Sequence, residues 1–401
     1  MDPVKIMKAA ERGAETTARL LADLISIRSL SGDERTVVER IGSEMSDAGF
    51  DEVRVDGLGS IIGRIGSGKT VIAIDAHIDT VGEGNRALWS FDPFKGQVRD
   101  GKVWGRGAAD QKGGMAAMIA AGRMMKELHI EDDFTVLFTG TVMEEDCDGL
   151  CWQHLIKEEG LKPDVCIITE PTGLNIYRGH RGRMEMELAV AGRSAHGSAP
   201  ERGDNAIYKM ARVALEIERL NSRLTGDDFL GKGTIVVSEI GSSGPSQCAV
   251  PDAARIYIDR RLALEDTKEL AVAQLQAVCE LEKIADFKVS VPVYKNAAYS
   301  GKIYPTEKYY PTWSISEDHR AVRAAGSACR ELFGAVPRID KWTFSTNGVA
   351  ICGMHKIPCV GFGPGFEEQA HAPDEWTPVE HLWKAAAFYA AFPAAFVRSK
   401  Q

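Results

Sequence analysis

The stretch AIDAHIDTV, residues 73–81, runs apolar through what reads as buried strand and then sets His77 and Asp79 two positions apart at its end. A short apolar, β-branched run is the pattern of a strand covered on both faces. Polar groups where such a strand surfaces are ordinary turn residues unless partners converge on them. In an open sheet flanked by helices, ligand sites gather at the carboxyl ends of the strands. The reading therefore turns on whether other strands end in the same way.

Several do. FTVLFTGTVM runs into Glu144 and Glu145, and DVCIIT runs into Glu170 before Pro171. VWGRGAADQKGG places Asp110 just ahead of GGMAAMIAAGRMMKEL, a helix of small residues, and FGPGFEEQAHAPDE carries His371 in a glycine-rich loop after the strand-like IPCVGFG. With SIIGRI and TVIAIDA also strand-like, the alternation implies crossover connections: an α/β fold with a mostly parallel sheet flanked by helices. From about Arg181 the style changes. RMEMELAVAG, GTIVVSEI and ARIYIDRRL alternate apolar and polar residues, interleaved with the helical NAIYKMARVALEIERL and KELAVAQLQAVCEL. This predicts an inserted α+β two-layer domain at residues 183–292, within a discontinuous catalytic domain of residues 1–182 and 293–401. The strands RMEMELAVAG and ARIYIDRRL are expected to leave an edge that a partner covers.

A chain of 401 residues, 44% hydrophobic, suits two or three domains. The net charge of -9, from 57 acidic against 48 basic residues without a basic block, speaks against nucleic acid and against an anionic membrane surface. Eight cysteines without a CxxC predict no disulfides. The N-terminal MDPVKIMKAAERGAETTARLLADLISI is charged throughout and reads as one amphipathic helix rather than a signal segment, and the chain is expected in the cytoplasm with reduced thiols. GRIGSGKT, residues 63–70, satisfies the phosphate-loop pattern literally. That loop needs a helix after it, to point its N-terminus at phosphate. Here a strand follows, so GSGK is predicted to be a hairpin turn.

Taken singly, each strand-end acid reads as a cap or a solvated residue. Together they offer imidazole and carboxylate without thiolate, the donor mixture of zinc, cobalt or manganese. The count suits two divalent ions. Asp110, with two oxygens, can bridge them while each ion takes one further carboxylate and one histidine. Asp79 is left to hold the other ring nitrogen of His77. Neighbours along an extended chain point oppositely, so one of Glu144 and Glu145 can bind metal while the other faces substrate as a base.

At these residues the chain resembles the ArgE/DapE family of co-catalytic metallohydrolases, which includes aminoacylase, acetylornithine deacetylase, succinyl-diaminopimelate desuccinylase and glutamate carboxypeptidase. LISIRSLSGDE looks like the family's N-terminal segment, AHIDTV matches its H-x-D-x-V, and GRGAADQKGG matches its G-R-G-x-x-D-x-K-G-G; MEED, ITEP and AHAPDE follow in order. The resemblance implies that His77, Asp110 and Glu170 hold one ion, that Asp110, Glu145 and His371 hold the other, and that Glu144 is the general base. It implies zinc first, with cobalt and manganese as alternatives. GRSAHGSAPERGDNAI resembles the family's lid segment, whose histidine, here His196, stabilises the oxyanion in a partner subunit's site, so a homodimer through the insert is implied. Arg261, in VPDAARIYIDRR, falls where the family anchors the substrate's α-carboxylate.

Two departures bear on specificity. Cys248 stands where many members carry Asn, and Asn347, expected at the substrate, stands where Thr-Asp or Thr-Glu is common. Both look most like the YgeY-type, selenium-metabolism-linked branch. The activity implied is hydrolysis of the amide bond of an N-acyl amino acid or small peptide with a free carboxylate. An aminopeptidase or tripeptidase of the same metal chemistry, a catalytically silent dimeric binding protein and a nucleotide-driven enzyme are the alternatives.

Overall fold

The strand Thr70–His77 is buried along nearly its whole length because it lies inside an eight-stranded sheet. The order across that sheet is Glu52–Val55, Ile61–Gly66, Phe134–Thr141, Thr70–His77, Val165–Ile168, Cys359–Gly361, Ile176–Tyr177, Ile339–Asp340. Its four central strands are mutually parallel. In the register, His77 stands opposite Thr141, Asp75 opposite Ile168, and Gly361 opposite Ile168. The segments leaving these strands therefore emerge at one edge, and they are the segments that carry the acids.

The computed structural model describes residues 2–399, and the chain forms two compact units. The first contains this sheet and comprises the chain up to Gly179, Lys295–Tyr304, and everything from Ser314 on. The helix Lys112–Glu127 has twelve buried residues, most of them Gly, Ala or Met, and it packs against the helix Val379–Arg398. Glycine is required at position 114, where a Cβ would collide with the Thr169 hydroxyl beneath it. The expected single N-terminal helix is two helices, Pro3–Arg12 and Ala14–Ile25, interrupted at Gly13, where the chain loses helix propensity.

GSGK is not a hairpin turn. Ile61–Gly66 pairs antiparallel with Phe134–Thr141, and Thr70–His77 pairs parallel with the other side of that same strand. The loop between them passes around the start of Phe134–Thr141, with Gly68 N–H on the Phe134 carbonyl at 3.1 Å and Lys69 N–H on Asp133 at 2.9 Å. A Cβ at Gly68 would strike the Phe134 backbone. The shallow depression beside the loop is lined by the acids Asp51, Glu131, Asp132 and Asp133 and the bases Arg64 and Lys126; both bases are already paired, Arg64 with Glu52 and Lys126 with Asp51, so the charge left over repels phosphate.

The second unit, His180–Tyr294 with Pro305–Trp313, has an antiparallel sheet ordered Thr234–Ser243, Ala253–Leu262, Gly182–Ala191, Phe287–Ser290. Alternation sends Met184, Met186, Leu188 and Val190 from one strand and Ile256 and Ile258 from its neighbour into a core shared with the helices Ala206–Arg223 and Lys268–Leu281. This is the α+β two-layer arrangement predicted. The edge, however, was expected at RMEMELAVAG and ARIYIDRRL, and both are interior. Thr234–Ser243 ends the sheet, with Val236 and Ile240 54% and 60% exposed. Among the described residues, no helix is long and apolar enough to cross a membrane.

Candidate metal centre and active site

His77 ends its strand buried, and its Nδ1 lies 2.9 Å from the backbone carbonyl of Asp79. That contact places the hydrogen on Nδ1 and turns Nε2 toward carboxylates. Nε2 is 2.9 Å from Asp110 Oδ1, 3.5 Å from Glu170 Oε1 and 4.0 Å from Glu144 Oε2. The other oxygen of Asp110 faces a second imidazole, with His371 Nε2 3.3 Å from Oδ2. His371 Nε2 is also 3.0 Å from Glu145 Oε2. Asp110 thus stands between two histidines and gives one oxygen to each.

Charge in this centre is unbalanced. Burial, joined by neighbouring acids, pushes the carboxyls of Glu144 and Glu170 well above the carboxylate range. The carboxylates of Asp110 and Glu145 push His371 up to about 10. Burial alone would lower His77, but Glu170 and Asp110 overcome it and hold it well above its ordinary value. Glu144 Oε1 and Glu170 Oε2 are buried with no hydrogen-bond partner. An acid cluster that draws protons onto both imidazoles and still leaves two buried oxygens unpartnered calls for cations. Donors of a tetrahedral ion with bonds of 2.0–2.2 Å stand roughly 3.3 Å apart, close to the 2.9–3.5 Å found around both histidines. Two overlapping donor groups, His77–Glu144–Glu170 and His77–Asp110–Glu145, meet the spacing for a metal ion. The residues fit the group.

A third cluster, Asp56, His154 and Glu159, has the same composition but not the same need. Lys302 Nζ lies 2.6 Å from His154 Nε2, His154 Nδ1 lies 3.0 Å from Asp56 Oδ2, and Asp56 Oδ1 accepts the N–H groups of Leu58, Gly59 and Ser60. Its cation is already a lysine.

The backbone that presents the ligands is held by other carboxylates. Asp79 was expected to orient His77. Its carbonyl does so, whereas its carboxylate stands 3.5 Å from Nδ1 and instead accepts the N–H groups of Glu144 at 3.2 Å and Glu145 at 3.0 Å. The two-residue spacing brings the carbonyl, rather than the side chain, back over the ring. Glu375, missed in the sequence, does the same for Asp110. Its Oε1 accepts Ala109 N–H at 2.7 Å and Asp110 N–H at 3.1 Å, and its Oε2 accepts Gly107 N–H at 3.0 Å and Arg106 Nη1 at 2.8 Å. Burial, opposed by Arg106, raises its carboxyl to about 7. The available signal was its place at the end of AHAPDE, four residues after His371.

Asn347 is corrected by its surroundings. It is buried, and all four of its hydrogen-bonding positions are taken: Oδ1 accepts from Gly149 N–H and Cys151 Sγ, and Nδ2 donates to Asp75 Oδ2 and Thr141 Oγ1. Nothing is left for a substrate. His196 and Arg261 belong to the second unit. His196 is exposed, and its Nδ1 accepts Ser198 N–H at 3.2 Å beside the Ser198 hydroxyl at 2.7 Å, which leaves the ring hydrogen on Nε2. The fork of Arg261 is engaged by Asp259, at 2.9 and 3.3 Å.

Comparison with known proteins gives three findings. The sequence model of peptidase family M20/M25/M40 matches residues 73–395. The chain is 50% identical over 400 residues to the uncharacterized protein YgeY of Escherichia coli, covering 99% of each, and 31% identical over 259 residues to succinyl-diaminopimelate desuccinylase of Cereibacter sphaeroides, covering 60% of this chain and 66% of that one. Its fold superposes on Bacillus subtilis YXEP, a dinuclear metal binding peptidase from the M20 family, with a TM-score of 0.72 at 17% identity over 97% of this chain and 99% of that one.

Proposed function

The chain belongs to peptidase family M20/M25/M40, and from that premise we propose that it is a dinuclear metallohydrolase that cleaves the amide bond of an N-acyl amino acid or small peptide bearing a free carboxylate. The observation that carries this reading is Asp110, with one oxygen toward His77 and the other toward His371. His77, Asp110 and Glu170 would hold one divalent ion, and Asp110, Glu145 and His371 the second, zinc being the first choice for imidazole and carboxylate donors. Bound there, the ions supply positive charge that polarises the scissile carbonyl and acidifies water.

Glu144 does the proton work. Its Oε1 is buried and unpartnered, and the positive charge of bound ions would counter the burial that raises its carboxyl, so it would take a proton from the attacking water as the oxygen bonds to the carbonyl carbon. It then passes that proton to the amine nitrogen as the C–N bond breaks, leaving a carboxylate and an amine. His196, with hydrogen on Nε2, would donate to the developing oxyanion across a homodimer. The open edge Thr234–Ser243, carrying Val236 and Ile240, is the surface that would pair. A cytoplasmic location accords with eight cysteines, all of them free.

The alternative with the same metal chemistry is an aminopeptidase or tripeptidase that holds a free substrate amine. Assaying the metal-loaded protein on matched N-acetylated and free dipeptides separates the two. Hydrolysis of the acylated series supports the deacylase, preference for free amines supports the peptidase, and no turnover of either rejects both.

A further inference from the structure

We propose that Glu34 is a positioning residue of the catalytic centre, which locks the turn at Met143 so that Glu144 and Glu145 leave their strand facing their separate tasks. This rests on the roles proposed above for those two acids. Met143 has φ +62°, a left-handed conformation that residues with a Cβ seldom adopt without being held. Three successive N–H groups of this turn end on carboxylates. Met143 N–H donates to Glu34 Oε1 at 3.0 Å, Glu144 N–H to Asp79 Oδ1 at 3.2 Å, and Glu145 N–H to Asp79 Oδ2 at 3.0 Å.

Glu34 is rigid enough to act as an anchor. It is fully buried, and its carbonyl accepts Val38 N–H at 3.0 Å, which pins its backbone to the start of the helix Arg35–Asp47. The rest of SLSGDE, residues 29–34, grips the other half of the cradle. Ser31 Oγ donates to Asp79 Oδ2 at 2.6 Å, Ser29 Oγ donates to the Ile78 carbonyl at 2.8 Å, and Thr80 N–H donates to the Ser29 carbonyl at 2.8 Å. One segment thus fixes the strand end that carries His77 and the turn that carries the two glutamates. If Met143 relaxed to negative φ, the planes of the next two peptides would rotate and swing Glu144 out of reach of the bond it serves. A misplacement of about 1 Å costs on the order of 10²-fold in turnover.

The test compares Glu34→Ala, Glu34→Asp, Glu34→Gln, Met143→Gly and the double variant Glu34→Ala/Met143→Gly for kcat, KM, metal content and thermal midpoint, with Glu144→Gln run alongside. Glu34→Gln keeps an acceptor oxygen at the same reach and should stay within about 3-fold of the parent kcat, whereas Ala and Asp, which withdraw it, should lose about 10²-fold with KM nearly unchanged. Glycine adopts positive φ without strain, so the double variant should recover about 10-fold over Glu34→Ala. Should Glu34→Ala fail to fold, the shorter Glu34→Asp decides the matter. A folded Ala or Asp variant with parental kcat, or a double variant no faster than Glu34→Ala, overturns the positioning role while an inactive Glu144→Gln leaves the centre standing. A fully active Glu144→Gln overturns both.

Discussion

Changing Asn347 to aspartate should leave the protein near parental stability in mild acid and progressively weaker as pH rises. The side chain touches Gly149, Cys151, Thr141 and Asp75, with Nδ2 2.9 Å from Asp75 Oδ2. An aspartate there turns a donor into an acceptor and sets two buried carboxylates in contact, so the pair must retain a proton. Burial already raises Asp75 above the ordinary carboxylate range, against hydrogen bonds from Thr139 and Asn347 that lower it. In the unfolded chain both acids ionise near about 3.9. The folded variant therefore binds more protons than the unfolded one above that pH, and its stability falls as pH increases. The parent's slope from Asp75 stops once pH passes the folded pKa of that single acid. The variant's slope continues, so the two diverge by up to about 1.4 kcal/mol per pH unit, a large share of a net stability of roughly 5–15 kcal/mol. Asn347→Ala is the control: it strands the Gly149 N–H and one Asp75 oxygen, costing about 1–3 kcal/mol each, and because it adds no second acid its slope is that of Asp75 alone, extended upward by loss of the Asn347 hydrogen bond. Urea unfolding at about pH 5 and about pH 8 reads the difference. An Asn347→Asp curve that parallels the parent at both, or a folded variant whose only change is a raised KM, would refute the buried-network account and return Asn347 to the substrate.

Glu144→Gln should keep its metal content and lose about 10²- to 10⁴-fold in kcat, the worth of a positioned general base, whereas Glu145→Gln should lose metal by elemental analysis; exchanged phenotypes would reverse the assignment within the pair. His381, whose Nδ1 accepts Gly365 N–H at 3.3 Å, is lowered to about 4 by burial. Between about pH 6.5 and about 4 the unfolded chain gains a proton that the folded one refuses, so stability drops as pH falls through that window. His381→Asn should remove on the order of 1–2 kcal/mol of that drop, discounted for a partly exposed ring, and denaturation curves unchanged in slope would show that the ring titrates freely. Val236→Lys with Ile240→Lys, both on the open edge, should convert a dimer to a folded monomer by sedimentation; a parent that is already monomeric removes the shared-site role of His196.

Much of the centre was legible because its signals are local. His77 ends an apolar strand, Glu144, Glu145 and Glu170 come shortly after the ends of two others, and parallel pairing of those strands is enough to bring their ends to one edge. What escaped depends on neighbours distant in the chain. GSGK announces a turn, but whether its flanking strands pair with each other or with Phe134–Thr141, some seventy residues on, is decided by long-range pairing. Alternation in RMEMELAVAG and ARIYIDRRL fixes which face is buried and says nothing of which strand is outermost. Glu34, Asp79 and Glu375 bind backbone N–H groups, and any sequence offers those, so the acid alone does not reveal its partner. One signal stood in the opening stretch itself. Asp75 interrupts an otherwise apolar strand one position after Ile74, and an acid buried between parallel strands must find donors. Thr139 and Thr141 come from the adjacent strand and supply two. The third has to reach in from elsewhere, and a polar residue in a loop beside the sheet, such as Asn347 in FSTNGV, answers that need with an amide where a carboxylate would have repelled. The Asn at 347 is thus explained by the Asp at 75, three residues before the end of AIDAHI and beneath the centre rather than in it.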